Sequence, residues 1–310
     1  MRTCAIINPN SSGGRTRKRW PAIEQKLRAR LGEVETRYTT APMDAVGITR
    51  KAVEEGFEQI IAVGGDGTVN EVVNGLIKED KALNPNVVLA LLSSGTGGDF
   101  RRTFGIGESV DAQIDHICQG TVRTVDVGKL TFVSDAGETC VRYFDNITSF
   151  GLGGVMDRAI AKVTVGRMLG SRLVFQWVML KTIFKYKNQR VHLQIDDGVD
   201  EKLTIKSIAV CNGNYFGGGM HMAPNGEPDD GLFDIIVLGD EGPWYTLFRS
   251  QLIYSGKHLD EEKVQSYTGK KVVATPLDPD DHVLIDMDGE APGRLPATFE
   301  IVPRVLKVRS

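Results

Sequence analysis

The sequence predicts a doubly wound parallel α/β domain followed by an antiparallel β-sandwich domain. In the first 130 residues, strand-like apolar runs alternate with helix-like segments, a pattern typical of a parallel sheet covered by helices. After about Val127, short alternating segments dominate and are separated by turn signals such as Asp197-Gly198, which favours antiparallel strands. The length of 310 residues is enough for about two domains. We therefore predict domains at 1–130 and 131–303.

Local signals place the elements of the first domain. Strands are predicted at Thr3–Ile7, Glu33–Thr39, Gln59–Val63 and Val87–Leu92. Helices are predicted over 17–31, over 42–55 and from the glycine-rich stretch 64–67 to residue 77. Pro42 suits the first turn of its helix because its missing N–H has no partner there in any case. The glycine-rich stretches 64–67 and 95–98 each follow a strand closely, so we expect both at the carboxyl ends of strands, where such sheets bind ligands.

The second domain is predicted from period-two alternation between turn residues. Its strands are expected at Cys140–Thr148, Val191–Ile195, Thr204–Asn212, Leu232–Leu238, Val264–Ala274, Val283–Met287 and Thr298–Val302. Two helices are expected near 168–187 and 243–254.

Composition excludes several classes of protein. A net charge of −3 argues against a general nucleic-acid binder. The four cysteines form no CxxC pair and the five histidines are dispersed, which gives no support to a zinc site or a disulfide framework. No apolar run suits a membrane span or a signal peptide, so a cytoplasmic protein is expected. The 35 glycines cluster in short blocks, and these blocks carry the functional signal.

The strongest block is Ile60–Glu71, a buried-type strand followed by Gly64-Gly65-Asp66-Gly67. Glycines let backbone N–H groups approach phosphate oxygens, and a helix N-terminus favours the added negative charge. The alternative is a plain strand-turn-helix connection, in which Thr68 and Glu71 form a capping box. Capping does not explain an acidic residue among three glycines, so phosphate binding is the preferred interpretation. Neither a Walker motif nor a GxGxxG fingerprint occurs in the sequence.

Two acidic stretches follow in the second domain. Glu227-Pro228-Asp229-Asp230 offers hard oxygen ligands suited to Mg²⁺, although the chemistry of these residues alone favours a solvated acidic turn. In Asp286-Met287-Asp288-Gly289-Glu290, strand alternation points both aspartates to one face. Carboxylates converging at a strand end suit a general base for a substrate hydroxyl. An Asp-Gly hairpin with exposed carboxylates is the alternative.

Several ordered blocks together resemble the diacylglycerol-kinase-type lipid kinases, a family that includes bacterial diacylglycerol kinases and has sphingosine kinases as relatives. The blocks are Asn8–Gly13, Gly64–Glu71, Ser94–Phe100, Asn146–Gly154, Asn212–Leu232 and Asp288–Glu290. The resemblance spans nearly the whole chain. It implies an α/β nucleotide-binding domain, a β-sandwich domain and a nucleotide cleft between them. It also implies that the tail at 304–310 returns to the first domain.

The resemblance implies roles for individual residues. Nucleotide contacts would come from Asn8, Thr40, Gly65, Asp66, Gly67, Thr68, Val69, Asn70, Glu71 and Thr96. A structural magnesium would be held by Asp230 with oxygens of Glu227 and Leu232. Glu290 would be the general base, in narrow preference to Asp288, with Asp66 also catalytic. One departure is that Gly98 stands where many relatives have Asn.

The segment 162–190 carries seven Lys or Arg residues and no acidic residue, so the remainder of the chain carries −10. Leu173, Trp177, Leu180 and Phe184 form one helical stripe in it. Packing of this stripe is preferred to docking on a membrane, although both can hold if the basic residues face anionic lipid.

Together these features predict an ATP- and Mg²⁺-dependent kinase of a lipid hydroxyl, with diacylglycerol or a related lipid as acceptor. Its expected partner is a lipid substrate at a membrane surface. Peripheral attachment to the membrane is compatible with a cytoplasmic protein. A second copy of the chain is a further candidate partner. The alternatives are an NAD kinase-like small-molecule kinase and an inactive lipid- or nucleotide-binding regulator.

Overall fold

The structure is a computed structural model that describes residues 1–93, 98–165 and 172–310, and of 161–165 and 172–176 it describes the backbone alone. In the N-terminal part, the strands are β1 (Thr3–Ile7), β2 (Val34–Tyr38), β3 (Gln59–Gly64), β4 (Ile77–Lys78), β5 (Lys81–Ala82) and β6 (Val88–Ser93). The helices are α1 (Ser11–Leu31), α2 (Asp44–Glu54), α3 (Asp66–Leu76), α4 (Asp99–Thr103) and α5 (Val110–Gln119).

The N-terminal part is a parallel sheet in the order β2-β1-β3-β6. Helices α1 and α5 pack on one face, and α2 and α3 pack on the other. Strand β1 shows why: Cys4 and Ile6 enter one core while Ala5 and Ile7 enter the other, so the strand is apolar throughout. The prediction of a doubly wound α/β domain is confirmed.

The C-terminal part consists mainly of antiparallel strands. These are β7 (Val122–Ser134), β8 (Thr139–Phe144), β9 (Ile147–Gly151), β10 (Gln189–Ile195), β11 (Val199–Ile205), β12 (Ser207–Cys211), β13 (Tyr215–Phe216), β14 (Met220–His221), β15 (Phe233–Leu238), β16 (Val264–Gly269), β17 (Lys271–Pro276), β18 (Leu284–Met287) and β19 (Glu290–Arg309). The helices are α6 (Leu152–Val165), α7 (Arg172–Lys185) and α8 (Pro243–Ile253).

Two groups of strands enclose the C-terminal core. One runs β16-β15-β12-β9-β18, and the other joins β11, β10, β17, β19, β7 and β8. Their shared interior contains stacked rings, with Phe144 centred 5.6 Å from Phe233 and Phe150 5.9 Å from Phe299. A core between two antiparallel layers is the β-sandwich that the sequence predicts.

Two long strands connect the parts. Strand β7 passes through the predicted boundary near residue 130 and pairs along β19. The end of β19 pairs in parallel with β6, Lys307 opposite Val88 and Val308 opposite Leu89. A single sheet therefore continues from the α/β part into the sandwich, which restricts how far the two can rotate.

Several predicted elements differ from the structure. Three segments predicted as single strands, Cys140–Thr148, Thr204–Asn212 and Val264–Ala274, are each divided between two strands. A turn or a single residue such as Lys206 or Lys270 carries the chain there from one group of strands to the other, and period-two alternation does not reveal such a crossing. The sequence did not predict α5, α6 or the full length of β7 and β19. Residues 168–171 of the predicted helix lie outside the described residues.

Gly47 and Gly75 allow a comparison between a helix position with room for a side chain and one without. Gly47 in α2 has open space where a Cβ would stand, whereas a Cβ on Gly75 in α3 would lie 2.5 Å from the Thr49 Cβ. We expect Gly47→Ala to raise the free energy of unfolding by about 0.5–1 kcal/mol, because alanine has less chain entropy to lose. We expect Gly75→Ala to lower it by about 1–3 kcal/mol through overpacking. Chemical denaturation of both variants measures this, and equal effects would contradict the close packing of α2 on α3.

Candidate active site

Three loops of the N-terminal part lie side by side at one edge of the sheet. Ile7 pairs with both Tyr38 and Val63, and Gly64 pairs with Ser93, so the carboxyl ends of β1, β2, β3 and β6 are level. Asn8, Thr40 and the Gly65–Asp66 turn therefore lie close to the end of β6, as expected. Thr96 belongs to residues 94–97, outside the described residues.

Side-chain contacts fix the first glycine loop. Asn8 donates from Nδ2 to Thr68 Oγ1 at 3.3 Å, and its Oδ1 accepts from the Asn10 N–H at 3.0 Å. A Cβ on Gly64 would lie 2.4 Å from Thr68 Oγ1, so this close approach of strand to helix requires glycine. Gly65 is the N-cap of α3, offers no side-chain cap and faces open space. The first N–H groups of α3 thus have no intrahelical partner and can receive an anion.

The capping-box alternative for this loop is wrong. Thr68 lies inside α3 rather than at its N-cap, and Glu71 Oε2 accepts from the Ala45 N–H of α2 at 3.1 Å. Val69 and Asn70 are also buried, so a nucleotide contact at either would come from the backbone. Thr40 donates its hydroxyl to Asp44 Oδ2 at 2.5 Å at the start of α2, a local contact that the sequence did not predict.

Asp66 joins the two glycine loops. Its carboxylate accepts from the Gly98 N–H at 2.9 Å and the Asp99 N–H at 3.0 Å. Burial raises the pKa of Asp66, and these amide contacts oppose the rise. The carboxylate therefore serves as the cap of α4, in addition to its position beside the predicted phosphate loop.

The departure at Gly98 has a local explanation. Gly98 has φ +87°, and a Cβ there would lie 2.7 Å from Ser93 Oγ. Left-handed backbone is least strained for glycine, with Asn among the better tolerated alternatives. The next residue, Asp99, accepts from the Gly218 N–H at 2.7 Å, so the start of α4 is anchored to the Asn212–Gly219 stretch of the sandwich.

Asp288 is the most heavily bonded carboxylate of the predicted site. Its Oδ1 accepts from the Ile147 N–H at 2.9 Å, and its Oδ2 accepts from Asn70 Nδ2 at 2.8 Å and from the Asp145 N–H at 3.2 Å. Burial raises the pKa of Asp288 to about 6, although these hydrogen bonds lower it. Burial, followed by the charge of Asp288, raises the pKa of neighbouring Asp145 well above its usual range. With both oxygens occupied, Asp288 is placed to hold the site together.

Glu290 is more accessible than Asp288 and faces the glycine loop. Its side chain is 35% exposed and pairs with Arg142, Oε2 to Nη1, at 2.8 Å. A Cβ on Gly67 would lie 3.2 Å from Glu290 Oε1, so this carboxylate lies beside the first glycine loop. Arg142 also donates to Asn70 Oδ1 at 2.9 Å. Glu290 is thus the more accessible of the two carboxylates, and its role as the base stays a prediction.

The buried carboxyl group of Asp286 accepts a hydrogen bond from the backbone of the Asp288–Glu290 turn. Asp286 Oδ1 accepts from the Gly289 N–H at 3.0 Å, and Ser149 donates to Asp286 Oδ2 at 3.2 Å. Burial, followed by neighbouring Asp157, raises the pKa of Asp286 well above its usual range.

The predicted magnesium loop lies against β7. Arg123 pairs with Asp229 and Glu227, so Glu227 would contribute its backbone carbonyl to a metal. Asp126 accepts from the Gly231 N–H at 2.7 Å and holds this loop in place. No cluster of three or more His, Cys, Asp or Glu side chains with metal-binding geometry occurs in the described ranges. One carboxylate, Asp230, together with backbone oxygens is still a ligand set of the hard type that Mg²⁺ takes.

A cavity of about 560 Å³ lies between α6, α7 and the strands β9 and β18. Val155, Ala159, Val178 and Leu284 contribute apolar wall, and Lys181 and Lys185 also border it. Leu284 precedes Asp288 by four residues, at most roughly 13 Å along an extended chain. The cavity therefore borders β18, the strand that leads to the Asp288–Glu290 turn.

The predicted packing of the α7 stripe is wrong for the described side chains. Trp177, Leu180 and Phe184 are 60%, 43% and 43% exposed. Ile183 is the buried residue of this turn. Leu173 and the basic residues Lys162, Arg167 and Arg172 have side chains outside the described part. In the described residues, no helix is long and apolar enough to cross a bilayer.

Comparison with known proteins matches both parts of the chain. Residues 2–130 match the family model of the diacylglycerol kinase catalytic domain, and residues 148–310 match the YegS C-terminal NAD kinase beta sandwich-like domain. The chain belongs to the diacylglycerol-kinase-type lipid kinases. It is therefore an enzyme, a phosphotransferase with an alcohol acceptor.

Relatives of this lipid kinase family align along nearly its whole length. A diacylglycerol kinase from Bacillus subtilis is 28% identical, over 95% of this chain and 91% of its own. One from Mycobacterium tuberculosis is 25% identical, over 98% and 93%. A crystal structure of a diacylglycerol kinase from Bacillus anthracis superposes with a TM-score of 0.70 at 21% identity, covering 99% of this chain and 96% of that one, which shows a shared fold.

Sequence reasoning missed several residues of this lipid kinase site. Arg142, Asp145 and Asp126 carry no motif, and each acts through a partner distant in the chain, Arg142 on Glu290 and Asn70 for example. The one local signal was the Asn146–Gly154 block that follows Asp145, which contributed to the family resemblance without indicating a role.

The pKa of Asp288 predicts a pH dependence of stability. Because about 6 lies above an unfolded value of about 3.9, the folded state favours the protonated carboxyl. This contribution to stability is present below about pH 4 and is lost as pH rises through about 6. We expect wild type to lose about 3 kcal/mol across this window relative to Asp288→Asn. Denaturant titrations at several pH values measure it, and parallel profiles would contradict the raised pKa.

Proposed function

We propose that this lipid kinase transfers the γ-phosphoryl group of ATP, with Mg²⁺, to a lipid hydroxyl, diacylglycerol or a closely related lipid being the acceptor. One observation carries the proposal: Glu290 from the sandwich lies against Gly67 of the phosphate loop. A carboxylate beside a phosphate-binding loop can orient an acceptor hydroxyl toward a bound polyphosphate, which is the geometry that direct in-line transfer needs.

Each group in this site has a distinct task. The N–H groups at the start of α3 bind phosphate oxygens, while Asp66 fixes the second glycine loop beside them. Glu290 accepts the proton of the acceptor hydroxyl. Its ion pair with Arg142 fixes the orientation of the Glu290 carboxylate. Asp288 and Asn70 keep the two parts in register. Bound Mg²⁺ would supply charge neutralisation at the phosphates.

A lipid acceptor is supported by the cavity that borders β18, the strand that leads to the Asp288–Glu290 turn. Its apolar wall residues, including Val155, Ala159 and Leu284, suit an acyl chain because their burial by hydrocarbon is favourable. The relatives named diacylglycerol kinase support the same acceptor class. Incubation of the enzyme with ATP and either diacylglycerol or NAD tests the choice, and product from NAD alone would overturn it.

Glu290→Gln tests the proposed base. We expect turnover to fall by about 10²–10⁴-fold, because the amide cannot accept the proton, with the KM for ATP nearly unchanged. Glu300→Gln is the matched control, since Glu300 lies on the same strand and pairs with Lys271 at the surface. Turnover assays with radiolabelled ATP distinguish the variants, and a Glu290→Gln enzyme with normal turnover would remove Glu290 from the mechanism.

Asp66→Asn tests the junction of the glycine loops. The amide retains one acceptor for the Gly98 and Asp99 N–H groups but loses the charge, so we expect turnover to be nearly abolished. Loss of the cap should cost about 1 kcal/mol of stability, leaving the fold intact by circular dichroism. Near-normal turnover in this variant would show that the Asp66 carboxylate has no part in phosphoryl transfer.

Asp230→Asn tests the magnesium loop without relying on turnover. A bound ion stabilises the folded state by mass action, so Mg²⁺ should raise the melting temperature of wild type and EDTA should reverse this. We expect the Mg²⁺ shift to be largely lost in Asp230→Asn and retained in Asp229→Asn, whose side chain pairs with Arg123 instead. Identical shifts in the two variants would argue against Asp230 as a ligand.

A further inference from the structure

Helices α7 and α8 together expose an aromatic surface that the phosphoryl-transfer site does not use. Trp177, Phe184, Trp244 and Phe248 are 60%, 43%, 75% and 58% exposed. In the described part of the chain, every Trp or Phe side chain that is this exposed lies on one of these two helices. We call these four residues with Leu180 the aromatic patch. An exposed patch of large apolar side chains is unusual on a soluble surface and marks an interaction site.

The two helices form one continuous surface. The Phe184 and Trp244 rings meet edge to face with their centroids 5.0 Å apart. On α7, Trp177, Leu180 and Phe184 have the spacing of one helical face, and on α8 Trp244 and Phe248 are four residues apart. The patch is thus preformed by packing between the helices.

The inner face of α8 holds this surface rigidly. Arg249 is 2% exposed and donates from Nε to Glu241 Oε2 at 2.9 Å, so this charge is neutralised inside the protein. Thr246 donates to Glu241 Oε1 at 2.7 Å. With its polar anchors turned inward, α8 leaves Trp244 and Phe248 facing out.

The charges beside the aromatic patch indicate which kind of partner binds it. Lys181 and Lys185 are exposed on the outer part of α7, and the Lys181 Nζ lies 4.7 Å from the centre of the Trp177 ring. The sequences of α7 and α8 contain no acidic residue. Two copies of this face would bring their lysines together, which is unfavourable. Tryptophan and lysine side by side instead match the interface of an anionic bilayer, with rings at headgroup depth and ammonium groups on lipid phosphates.

We propose that the aromatic patch is the surface by which this kinase docks on anionic membranes. This inference rests on the proposed function, since a lipid acceptor must be taken from a bilayer. Trp177 and Lys181 also border the 560 Å³ cavity, so a chain docked through α7 has the cavity next to the lipid surface. The bound state is peripheral: the helices lie in the interface and do not cross it.

Vesicle co-sedimentation of the full chain, without ATP, tests this inference. The probes are vesicles of phosphatidylcholine alone and of phosphatidylcholine mixed with phosphatidylglycerol. We expect wild type to bind the anionic vesicles. We expect Trp244→Ser/Phe248→Ser to bind them at least about tenfold more weakly. The control Leu83→Ser/Val122→Ser removes two exposed apolar side chains elsewhere and should bind like wild type. Lys181→Ser/Lys185→Ser should lose mainly the preference for anionic vesicles.

Activity on a short-chain diacylglycerol in solution separates this inference from the proposed function. The Trp244→Ser/Phe248→Ser enzyme should phosphorylate it like wild type while losing activity on vesicles. Wild type that phosphorylates the soluble lipid but binds no vesicles would overturn the docking surface alone. Wild type that binds vesicles through the patch but phosphorylates no lipid would overturn the proposed function alone.

Two further results would overturn the docking proposal. One is vesicle binding by Trp244→Ser/Phe248→Ser equal to that of wild type. The other is a wild-type dimer that this double variant converts to monomer in sedimentation velocity, with vesicle binding unchanged, because a second copy would then cover the patch. Circular dichroism of each variant verifies that the fold is retained.

Discussion

The structure depends most on one buried carboxylate, that of Asp288, which accepts hydrogen bonds from both parts of the chain. Asn70 of α3 donates to it from the α/β part, and the backbone N–H groups of Asp145 and Ile147 donate from the sandwich. An unpartnered carboxylate at this depth would be costly. Since its donors come from both parts, the charge is tolerated only when they are correctly docked, and docking brings Glu290 to Gly67.

Other carboxylates around the site also accept hydrogen bonds from the backbone N–H groups of loops. Asp66 accepts amides of the second glycine loop, Asp99 accepts an amide of Gly218, and Asp126 accepts amides of Gly231 and Arg304. In each case a carboxylate orders a loop whose glycines supply conformations but no side-chain contacts of their own. Acidic residues thus act as structural clamps at the places where the sequence suggests catalysis or metal binding. The half-exposed Glu290, which pairs with Arg142, differs from them because it accepts no backbone N–H of such a loop in the described part of the chain.

Local patterns predicted the fold class well and its connections poorly. Apolar strands such as Gln59–Gly64 and Val88–Ser93 were identified because both faces of a parallel strand are buried. Boundaries failed where one residue, such as Lys206 or Lys270, carries the chain from one group of strands to the other, since alternation continues across it. The burial of α7 was also predicted wrongly, because an apolar stripe has the same pattern whether it meets a core, a partner or a membrane.

The sequence by itself determined where a glycine-rich loop joins strand to helix and that carboxylates follow β18, because strand-glycine-helix order and an Asp-Gly-Glu turn are local features. It also carried the family resemblance, through blocks spread over the chain. Only the tertiary structure decided that Asp288 bonds Asn70, 218 residues away, that Arg142 directs Glu290, and that α7 and α8 share one exposed surface. The physical reason is that these contacts depend on strand pairing and helix packing between distant segments, which no local propensity encodes.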